Sequence, residues 1–353
     1  MSKPYQIQYH FITQKLIDEP NKIGDSRIGK INSRLAEQIR IDLKKEFPLQ
    51  DIKKVKFSNI VHELLWMING DTNIKYLIEN GCNIWTDDAY RYYKEKFATL
   101  LKEESPENQL ELDLELTKEA FVEKVLKGDK VTFWDKPKSY WLGEYAQDTY
   151  VFGDLDRVYG QQWRNFNGKT DQLQNCIDTL KTNPDDRRMI VTAHNPTDIE
   201  DKIVGLPSCH NYFQFYTTKN HDGGRVLSTF VNIRSNDWFL GQPYNVAQYA
   251  LLTNIIARIV GMEVGELVIN SVDTHLYHAH FDAAEEWMAR FDKILIDNYV
   301  GDQGGYSGDY YDIVGCKAKL KLGHIDNIDN IKASDITLEN YNSQGFIKAP
   351  LLT

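Results

Sequence analysis

The stretch NYFQFYTTKNHDGGRVLSTFVNIRSNDWFLGQPYNVAQYALLTNIIARIV, residues 211–260, decides the fold. Two runs in it alternate apolar and polar residues as strands do, at 212–216 and 226–233, and the turn-rich KNHDGG between them predicts a β-hairpin with a long loop. Residues 246–260 are apolar nearly all round, which is typical of a central, buried helix. A hairpin beside such a helix indicates a mixed α+β fold, with strands clustered in the second half of the chain.

Other runs with regular spacing flank this stretch. We predict helices at residues 9–16, 59–68 and 172–182 and a strand at 189–193. A polar loop is expected at 21–30. The helix at 59–68 contains Glu63 in an otherwise apolar sequence, and a carboxylate in that position requires a functional reason.

Residues 86–152 differ in composition from the rest of the chain. They include the charged stretch KEESPENQLELDLELTKE, and Pro106 and Pro137 interrupt any long helix there. We expect a single domain over residues 1–353, into which 86–152 is inserted as a small helical subdomain or flap.

The overall composition excludes several classes of partner. Among 353 residues there are 41 Lys and Arg against 51 Asp and Glu, and a net charge of −10 argues against a broad grip on nucleic acid or an anionic membrane. Four cysteines without a CxxC pair are too few for a disulfide framework, and no metal site is expected. The first fifteen residues lack the apolar run of a signal peptide, which predicts a cytoplasmic protein.

Cys209, in the sequence LPSCH, directly precedes the first strand of the hairpin. A cysteine beside a strand is most often a small buried hydrophobe. The polar Ser208 before it and His210 after it indicate instead an exposed strand end, where nearby positive charge favours the reactive thiolate.

Arginines supply such charge at two places. Arg187 and Arg188 stand at the start of a predicted strand, where a solvated edge is the simpler explanation. Arg234 lies in an apolar strand, where an unpaired guanidinium would be costly. A phosphate group would satisfy several converging arginines, because the guanidinium fork matches phosphate oxygens.

The chain resembles the thymidylate synthase family, in both its thymidylate synthase and its deoxypyrimidylate hydroxymethylase branches. The resemblance covers nearly the whole chain except residues 86–152 and the linker after Asp292. It rests on motifs in the family's order: HELLWMINGDTN (62–73), NIWTD (83–87), GDLDRVYGQQWR (153–164), DQLQNCIDTLKTNPDDRRMIV (171–191), PSCH (207–210), RSNDWFLGQPYNVAQYALL (234–252), DTHLY (273–277) and IKAP (347–350). It implies a three-layer α+β fold in which a large mixed β-sheet forms the dimer interface.

The resemblance also implies a one-carbon transfer to C5 of a deoxypyrimidine monophosphate, with 5,10-methylenetetrahydrofolate as co-substrate. Cys209 would be the nucleophile that adds to C6 of the base. Glu63 would arrange water and relay protons around O4, and Tyr159 would lie by the C5 proton that leaves. Asp237 and His210 complete the catalytic residues that the resemblance implies.

Each substrate group has implied contacts. The phosphate would be held by Arg27, Arg234 and Ser235 of one subunit and by Arg187 and Arg188 of its partner in a homodimer. The 3′-hydroxyl would be held by His275 and Tyr277, and the folate by Trp85, Asp237, Gly241, Ile84 and Leu351. From the residues alone, Trp85 and Tyr159 are equally well explained as core aromatics.

Asn245 would choose the base. Its amide can accept from N3–H of uracil and donate to O4 in one bidentate contact, whereas cytosine reverses that pattern. The family's cytidylate hydroxymethylases have Asp here, so Asn245 favours dUMP. The alternative is that Asn245 caps the N-terminus of the following helix.

The two branches differ in whether hydride or water quenches the same C5-methylene group. Several residues depart from the usual synthase pattern and favour a dUMP 5-hydroxymethylase: Asp88, Asp156, Arg157, His194, Ser208, Ile233 and 343–345. Trp85, Glu63 and the tail at 347–350 favour thymidylate synthase, which is the alternative. An inactive nucleotide-binding member is a further alternative, against which the retention of Cys209 and the four arginines argues.

Overall fold

The computed structural model contains helices and strands. It describes residues 3–103, 115–135, 146–201, 203–300, 305–306 and 309–352. The helices are α1 Tyr5–Asp18, α2 Phe57–Ile68, α3 Lys75–Glu79, α4 Thr86–Glu103, α5 Lys118–Lys127, α6 Tyr159–Asn165, α7 Gln172–Thr182, α8 Pro196–Glu200, α9 Gly241–Val260, α10 Phe281–Asp297 and α11 Tyr310–Val314. The strands are β1 Lys22–Ser26, β2 Gly29–Asp42, β3 Lys130–Asp135, β4 Ala146–Val151, β5 Ile190–Thr192, β6 His210–Lys219, β7 Arg225–Asp237, β8 Glu263–Tyr277, β9 Tyr299–Val300, β10 Gly305–Tyr306, β11 Lys319–Leu322 and β12 Ile336–Glu339.

A six-stranded mixed sheet organises the fold, in the order β1-β2-β8-β7-β6-β5. All neighbouring pairs are antiparallel except β7 and β8, which run parallel. Parallel neighbours need a long crossover connection, and α9 supplies it. The mixed α+β prediction is therefore confirmed, with a sheet larger than the predicted hairpin.

Helix α9 lies against the inner face of this sheet. Along β7 the buried residues alternate, with Leu227, Val231 and Ile233 fully buried. Helix α9 is buried on nearly every side, as its sequence predicts. The sheet thus has one apolar face covered by α9, whereas Tyr216 and Val272 on its opposite face are exposed.

The helix predictions at 9–16, 59–68, 172–182 and 246–260 are confirmed by α1, α2, α7 and α9. The hairpin is confirmed by β6 and β7, and the strand at 189–193 by the shorter β5.

One sequence prediction is wrong. The polar loop at 21–30 contains β1 and the start of β2, although the other strands of the main sheet do cluster in the second half of the chain. Strand β1 is an exposed edge strand with mostly polar side chains on both faces, so it lacks the alternation that marks a half-buried strand.

Residues 86–152, expected to be an inserted helical subdomain or flap, are not purely helical. Their described parts contain α4, α5 and the antiparallel pair β3–β4. Tyr93, Phe121 and Phe152 pack together there, with ring centroids 5.2–6.0 Å apart, and all three are buried in the main hydrophobic core. Pro106 and Pro137, predicted to interrupt helices, lie outside the described residues.

No helix among the described residues is long and apolar enough to span a membrane.

Gly160 tests the packing of α6 on α2. A Cβ at Gly160 would lie 2.3 Å from the Met67 carbonyl oxygen and 2.7 Å from its Cα, which are backbone atoms that cannot move aside. We predict that Gly160→Ala lowers the free energy of unfolding by about 3 kcal/mol in urea denaturation. Gly323→Ala is the control, because its Cβ would meet nothing closer than 3.5 Å. Equal stabilities of the two variants would contradict this packing.

Candidate active site

The pairing of β7 assembles the predicted site. Because β8 runs parallel to β7, Asp237 lies opposite His275. On the other side of β7, the backbone N–H of Arg234 donates to the Cys209 carbonyl at 2.8 Å. Predicted residues from three separate motifs therefore meet at one end of the sheet.

Cys209 lies immediately before β6 and is partly exposed, as expected for a strand end. Its backbone N–H donates to the Tyr159 hydroxyl at 2.7 Å. Burial raises the pKa of the Cys209 thiol, and the charge of Asp88 acts in the same direction, whereas Arg234 lowers it. Positive charge is present, but burial outweighs it, so the thiol is the dominant form at neutral pH.

The position of Arg234 differs from the sequence prediction that its guanidinium lies in apolar surroundings. Its guanidinium is not buried in an apolar strand, because its side chain faces outward near the end of β7 and is exposed. Nε donates to the Ser208 carbonyl at 3.0 Å and Nη2 to the Pro207 carbonyl at 2.8 Å. The guanidinium thus anchors the loop that carries Cys209, and neither bond uses Nη1.

Arg27 lies in the exposed turn between β1 and β2. Its charge helps to lower the pKa of Asp88, although burial of Asp88 outweighs this and raises that pKa overall. This interaction places Arg27 on the same side of the molecule as the start of α4. The charge of Arg27 therefore acts on Asp88, whose own charge opposes ionisation of Cys209.

Arg187 and Arg188 are not brought to Cys209 within one protomer. The neighbouring Met189 carbonyl accepts from the Phe215 N–H, six residues along β6 from Cys209. At about 3.3 Å per strand residue, that separation is roughly 20 Å. Arg188 is highly exposed and its Nη2 lies 2.6 Å from an Asp186 oxygen, which lowers the pKa of Asp186 to about 2.

Glu63 is buried on α2 as expected. One carboxylate oxygen accepts from the Trp85 indole N–H at 2.7 Å and the other from Gln248 Nε2 at 2.9 Å. Burial raises the pKa of Glu63 to about 7, against the lowering effect of these two bonds. Glu63 can therefore hold or release a proton near neutral pH, which is the property a proton relay requires.

Aromatic rings surround this carboxyl group. Tyr159 packs edge-on against Trp85 and His210, with ring centroids 5.8 and 5.3 Å apart. His210 Nδ1 lies 3.2 Å from the Tyr249 hydroxyl, and burial lowers the pKa of His210 to about 4. The imidazole is therefore neutral at physiological pH and acts as a hydrogen-bonding group.

Asn245 lies within α9, not at its N-terminus. The helix begins at Gly241 and its cap position is Leu240, so the prediction that Asn245 caps the helix is wrong. Its Nδ2 lies 3.4 Å from Asn236 Oδ1, and its side chain is close enough to His210 to oppose the lowering of the pKa of that imidazole. A partly exposed amide is thus held one turn into the helix, next to Gly241.

Asp237 fixes the turn between β7 and α9. Its Oδ1 accepts from the N–H groups of Phe239 and Leu240 at 3.0 and 3.1 Å. The buried Lys53 donates to the Phe239 carbonyl, and desolvation lowers the pKa of Lys53 to about 7.

The C-terminal tail reaches the same turn. His280 Nε2 donates to the Pro350 carbonyl at 2.8 Å, and its Nδ1 lies 4.0 Å from Asp237 Oδ1. Ile347 is buried, whereas Leu351 beyond it is 60% exposed. The tail is therefore docked up to Pro350.

The remaining predicted residues lie around these groups. His275 and Tyr277 are buried at the end of β8, with ring centroids 5.2 Å apart. Ser235 is half-buried on β7, and Ile84 packs against the core beside Trp85.

Sequence reasoning missed Gln248, Lys53 and His280. Gln248 is a polar residue in an apolar helix, the same signal that identified Glu63, and it lies three residues after Asn245 on α9. Lys53 and His280 had no such signal, because their neighbours in sequence are mixed and only the fold buries them.

Comparisons with known proteins agree with the resemblance. A family model described as thymidylate synthase matches residues 7–353. The chain is 36% identical over 343 residues to a thymidylate synthase of Mycoplasma mobile, covering 97% of this chain and 98% of that protein. It is 33% identical to the thymidylate synthase of Listeria monocytogenes serovar 1/2a, over 98% and 99% of the two chains. With that of Staphylococcus haemolyticus it shares 34% identity, over 99% of each.

The raised pKa of Glu63 predicts a pH-dependent stability. The pKa of Glu63 rises from its ordinary 4.5 to about 7 on folding, so between these pH values the folded protein binds more protons than the unfolded chain. The stabilisation that this bound proton gives the fold is complete below about pH 4.5 and is lost as the pH rises through 7. Glu63→Gln stays neutral throughout. Its stability relative to the native protein should therefore rise by about 3 kcal/mol between pH 4.5 and 8 in urea denaturation.

Glu79→Gln, which changes an exposed carboxylate on α3, is the control. If Glu63→Gln behaved like Glu79→Gln, Glu63 would not be the buried acid described above.

Proposed function

The chain belongs to the thymidylate synthase family, and from that membership we propose that it is a thymidylate synthase that converts dUMP to dTMP. The observation that carries the proposal is the convergence of a part-buried thiol, an arginine and a buried acid. Cys209 lies beside Arg234, and the Glu63 carboxyl is held on the same side by Trp85 and Gln248.

The reaction begins with addition of the Cys209 sulfur to C6 of the uracil ring. The C5–C6 π electrons move toward O4, and C5 becomes nucleophilic. Glu63 supplies or arranges a proton at O4 as the enolate forms, because its pKa of about 7 allows both protonation states. In the synthase reaction C5 would then bond to the methylene carbon of the folate and lose its proton as the folate nitrogen leaves. A hydride from the folate would reduce the resulting methylene group to methyl, and loss of the Cys209 sulfur would restore the C5–C6 double bond.

Tyr159 is suited to the C5 proton. Its hydroxyl lies against the Cys209 backbone, so a base bonded to the Cys209 sulfur would lie close to it. Burial and the neighbouring Cys209 raise the pKa of Tyr159 far above its ordinary value, so the hydroxyl stays protonated. It would therefore orient water that removes the proton, not act as a phenolate base.

Asn245 supports dUMP as the substrate. Its amide group can pair with N3–H and O4 of uracil together, and its position one turn into α9 leaves it partly exposed beside His210. A cytosine there would leave two polar groups mismatched, at about 1–3 kcal/mol each.

Several residues fit a reduced folate, which supplies the methylene carbon and, in a synthase, the hydride. Trp85 and Ile84 provide an apolar surface. Gly241, the first residue of α9, has no side chain that could obstruct a ligand there. Asp237 keeps Oδ2 outside its two turn hydrogen bonds, as an acceptor for ring N–H groups. The tail beyond Ile347 would cover the folate and exclude water.

A homodimer would complete the phosphate site. Arg187 and Arg188 lie roughly 20 Å along β6 from Cys209 in their own protomer. The outer face of the sheet leaves Ile190, Tyr216 and Val272 exposed, an apolar surface of the kind that subunit interfaces bury. Two-fold pairing of these faces would bring the partner's arginines to the site.

A dUMP 5-hydroxymethylase is the second candidate, and Asp88 favours it. A carboxylate close enough to oppose ionisation of Cys209 can bring water to the intermediate. Against this, Asp88 Oδ1 is bound by Arg91 at 2.6 Å, and the tail is docked. The relatives' names also favour the synthase.

The product identifies the branch. With dUMP and methylenetetrahydrofolate, we predict one dihydrofolate, followed by absorbance, for each dTMP, followed by mass, and no product from Cys209→Ala. A product heavier than dUMP by the elements of formaldehyde, without dihydrofolate, would overturn the synthase proposal, and Asp88→Trp should then shift the product toward dTMP. Absence of both products would favour a nucleotide-binding role.

A further inference from the structure

Asp156 adopts a backbone conformation that normally belongs to glycine. Its φ is +57°, in the left-handed region. Its N–H donates to Asp154 Oδ1 at 2.9 Å and its carbonyl accepts from the Val158 N–H at 2.8 Å. An L-residue with a side chain persists there only if its surroundings hold it.

The carboxylate of Asp156 is held by helix α4. Oδ2 accepts from the Tyr92 hydroxyl and from Lys96 Nζ, the latter at 2.8 Å. Tyr92 is buried, and Lys96 lies one turn further along the same helix face. Asp156 is therefore a point at which α4 is fastened to the segment before α6.

The Tyr92 ring also packs on the loop that leads to Cys209. A Cβ at Gly205 would lie 2.8 Å from Tyr92 Cγ, so the ring rests directly on the Gly205 backbone. The Gly205 N–H donates to the Leu155 carbonyl at 3.1 Å, and Val204 forms a β-bridge with Asp156. Tyr92, Asp156 and Gly205 thus form one contact unit, four residues before the thiol.

Helix α4 contributes to the acid as well. Trp85, directly before its first residue, donates from its indole to Glu63, and its carbonyl accepts from the Ala89 N–H at 2.9 Å. One helix therefore touches both the loop of the nucleophile and the group that orients the acid. A shift of α4 would therefore move Trp85, the indole donor to Glu63, and Tyr92, whose ring packs on the loop before Cys209, together.

We propose that Tyr92 and Asp156 are positioning residues, which clamp α4 onto residues 203–206 and so hold Cys209 in register with the Glu63–Trp85 pair. The inserted segment, through α4, is then a working part of the catalytic centre and not an appended flap. Only the expected change in kcat rests on the proposed function, because the contacts between α4 and residues 203–206 define the clamp without it.

Tyr92→Phe tests the clamp, because it removes the hydroxyl and keeps the ring on Gly205. Tyr90→Phe is the matched control, since the Tyr90 hydroxyl on the same helix bonds to Leu116 and not to the Cys209 loop. With the clamp loosened, Cys209 should become more exposed, so its alkylation by iodoacetamide should be at least about threefold faster. Peptide mass spectrometry separates Cys209 from the buried Cys82, Cys176 and Cys316.

The turnover of Tyr92→Phe should decrease while the alkylation of its Cys209 becomes faster. We expect kcat to fall at least about threefold while the KM for dUMP changes less than about twofold, because misplacement affects the reacting atoms more than phosphate binding. Urea denaturation separates this from a loss of folding. Equal alkylation rates and equal kcat for Tyr92→Phe and Tyr90→Phe would overturn the proposal.

A double-mutant cycle gives an independent check. Asp156→Gly relieves the positive φ and removes the carboxylate, so adding Tyr92→Phe to it should change alkylation less than about 1.5-fold. An undiminished effect of Tyr92→Phe in that background would overturn the clamp. If the native protein makes no dTMP but alkylation follows these expectations, the proposed function fails and the clamp stands.

Discussion

The double pairing of β7 is the constraint on which the site depends. Its antiparallel partner β6 begins beside Cys209, and its parallel partner β8 ends at the His275 and Tyr277 pair. Because side chains on a strand alternate between faces, a slip of one residue would turn Arg234 toward α9 and Ile233 toward solvent. The buried alternation along β7 against α9 prevents such a slip. The packing of β7 against α9 therefore also fixes the positions of the reactive groups.

Much of this could be predicted from sequence, because the signals were local. Helices α2, α7 and α9 follow from apolar spacing, and Glu63 was found because a carboxylate interrupts one of these helices. Its partners were not predictable, since Trp85 and Gln248 reach it from other elements. The burial of Arg234 was misjudged for a related reason. Periodicity identifies a strand, but near a strand's end only tertiary structure decides whether a side chain is covered.

The fold also explains how an acidic protein can bind anions. The net charge of −10 excludes a broad polyanion surface, whereas dUMP needs only a small cluster of cations. Arg27 and Arg234 approach the site from two separate parts of one sheet. One acidic residue, Asp88, does act within the candidate active site, because its charge opposes ionisation of the Cys209 thiol. In the proposed homodimer, Arg187 and Arg188 of a second copy would add two cations to Arg27 and Arg234 at the phosphate.

The central claim is that the site at the end of the sheet is completed by a partner's arginines, and mixed dimers test it most directly. Cys209→Ala lacks the nucleophile but keeps the arginines, whereas Arg187→Ala/Arg188→Ala keeps the nucleophile. Each variant alone should be nearly inactive. After the two are unfolded and refolded together, half of the dimers are mixed and each has one intact site, so about a quarter of the native activity should return. If no activity returned although mixed dimers had formed, the shared site would be contradicted.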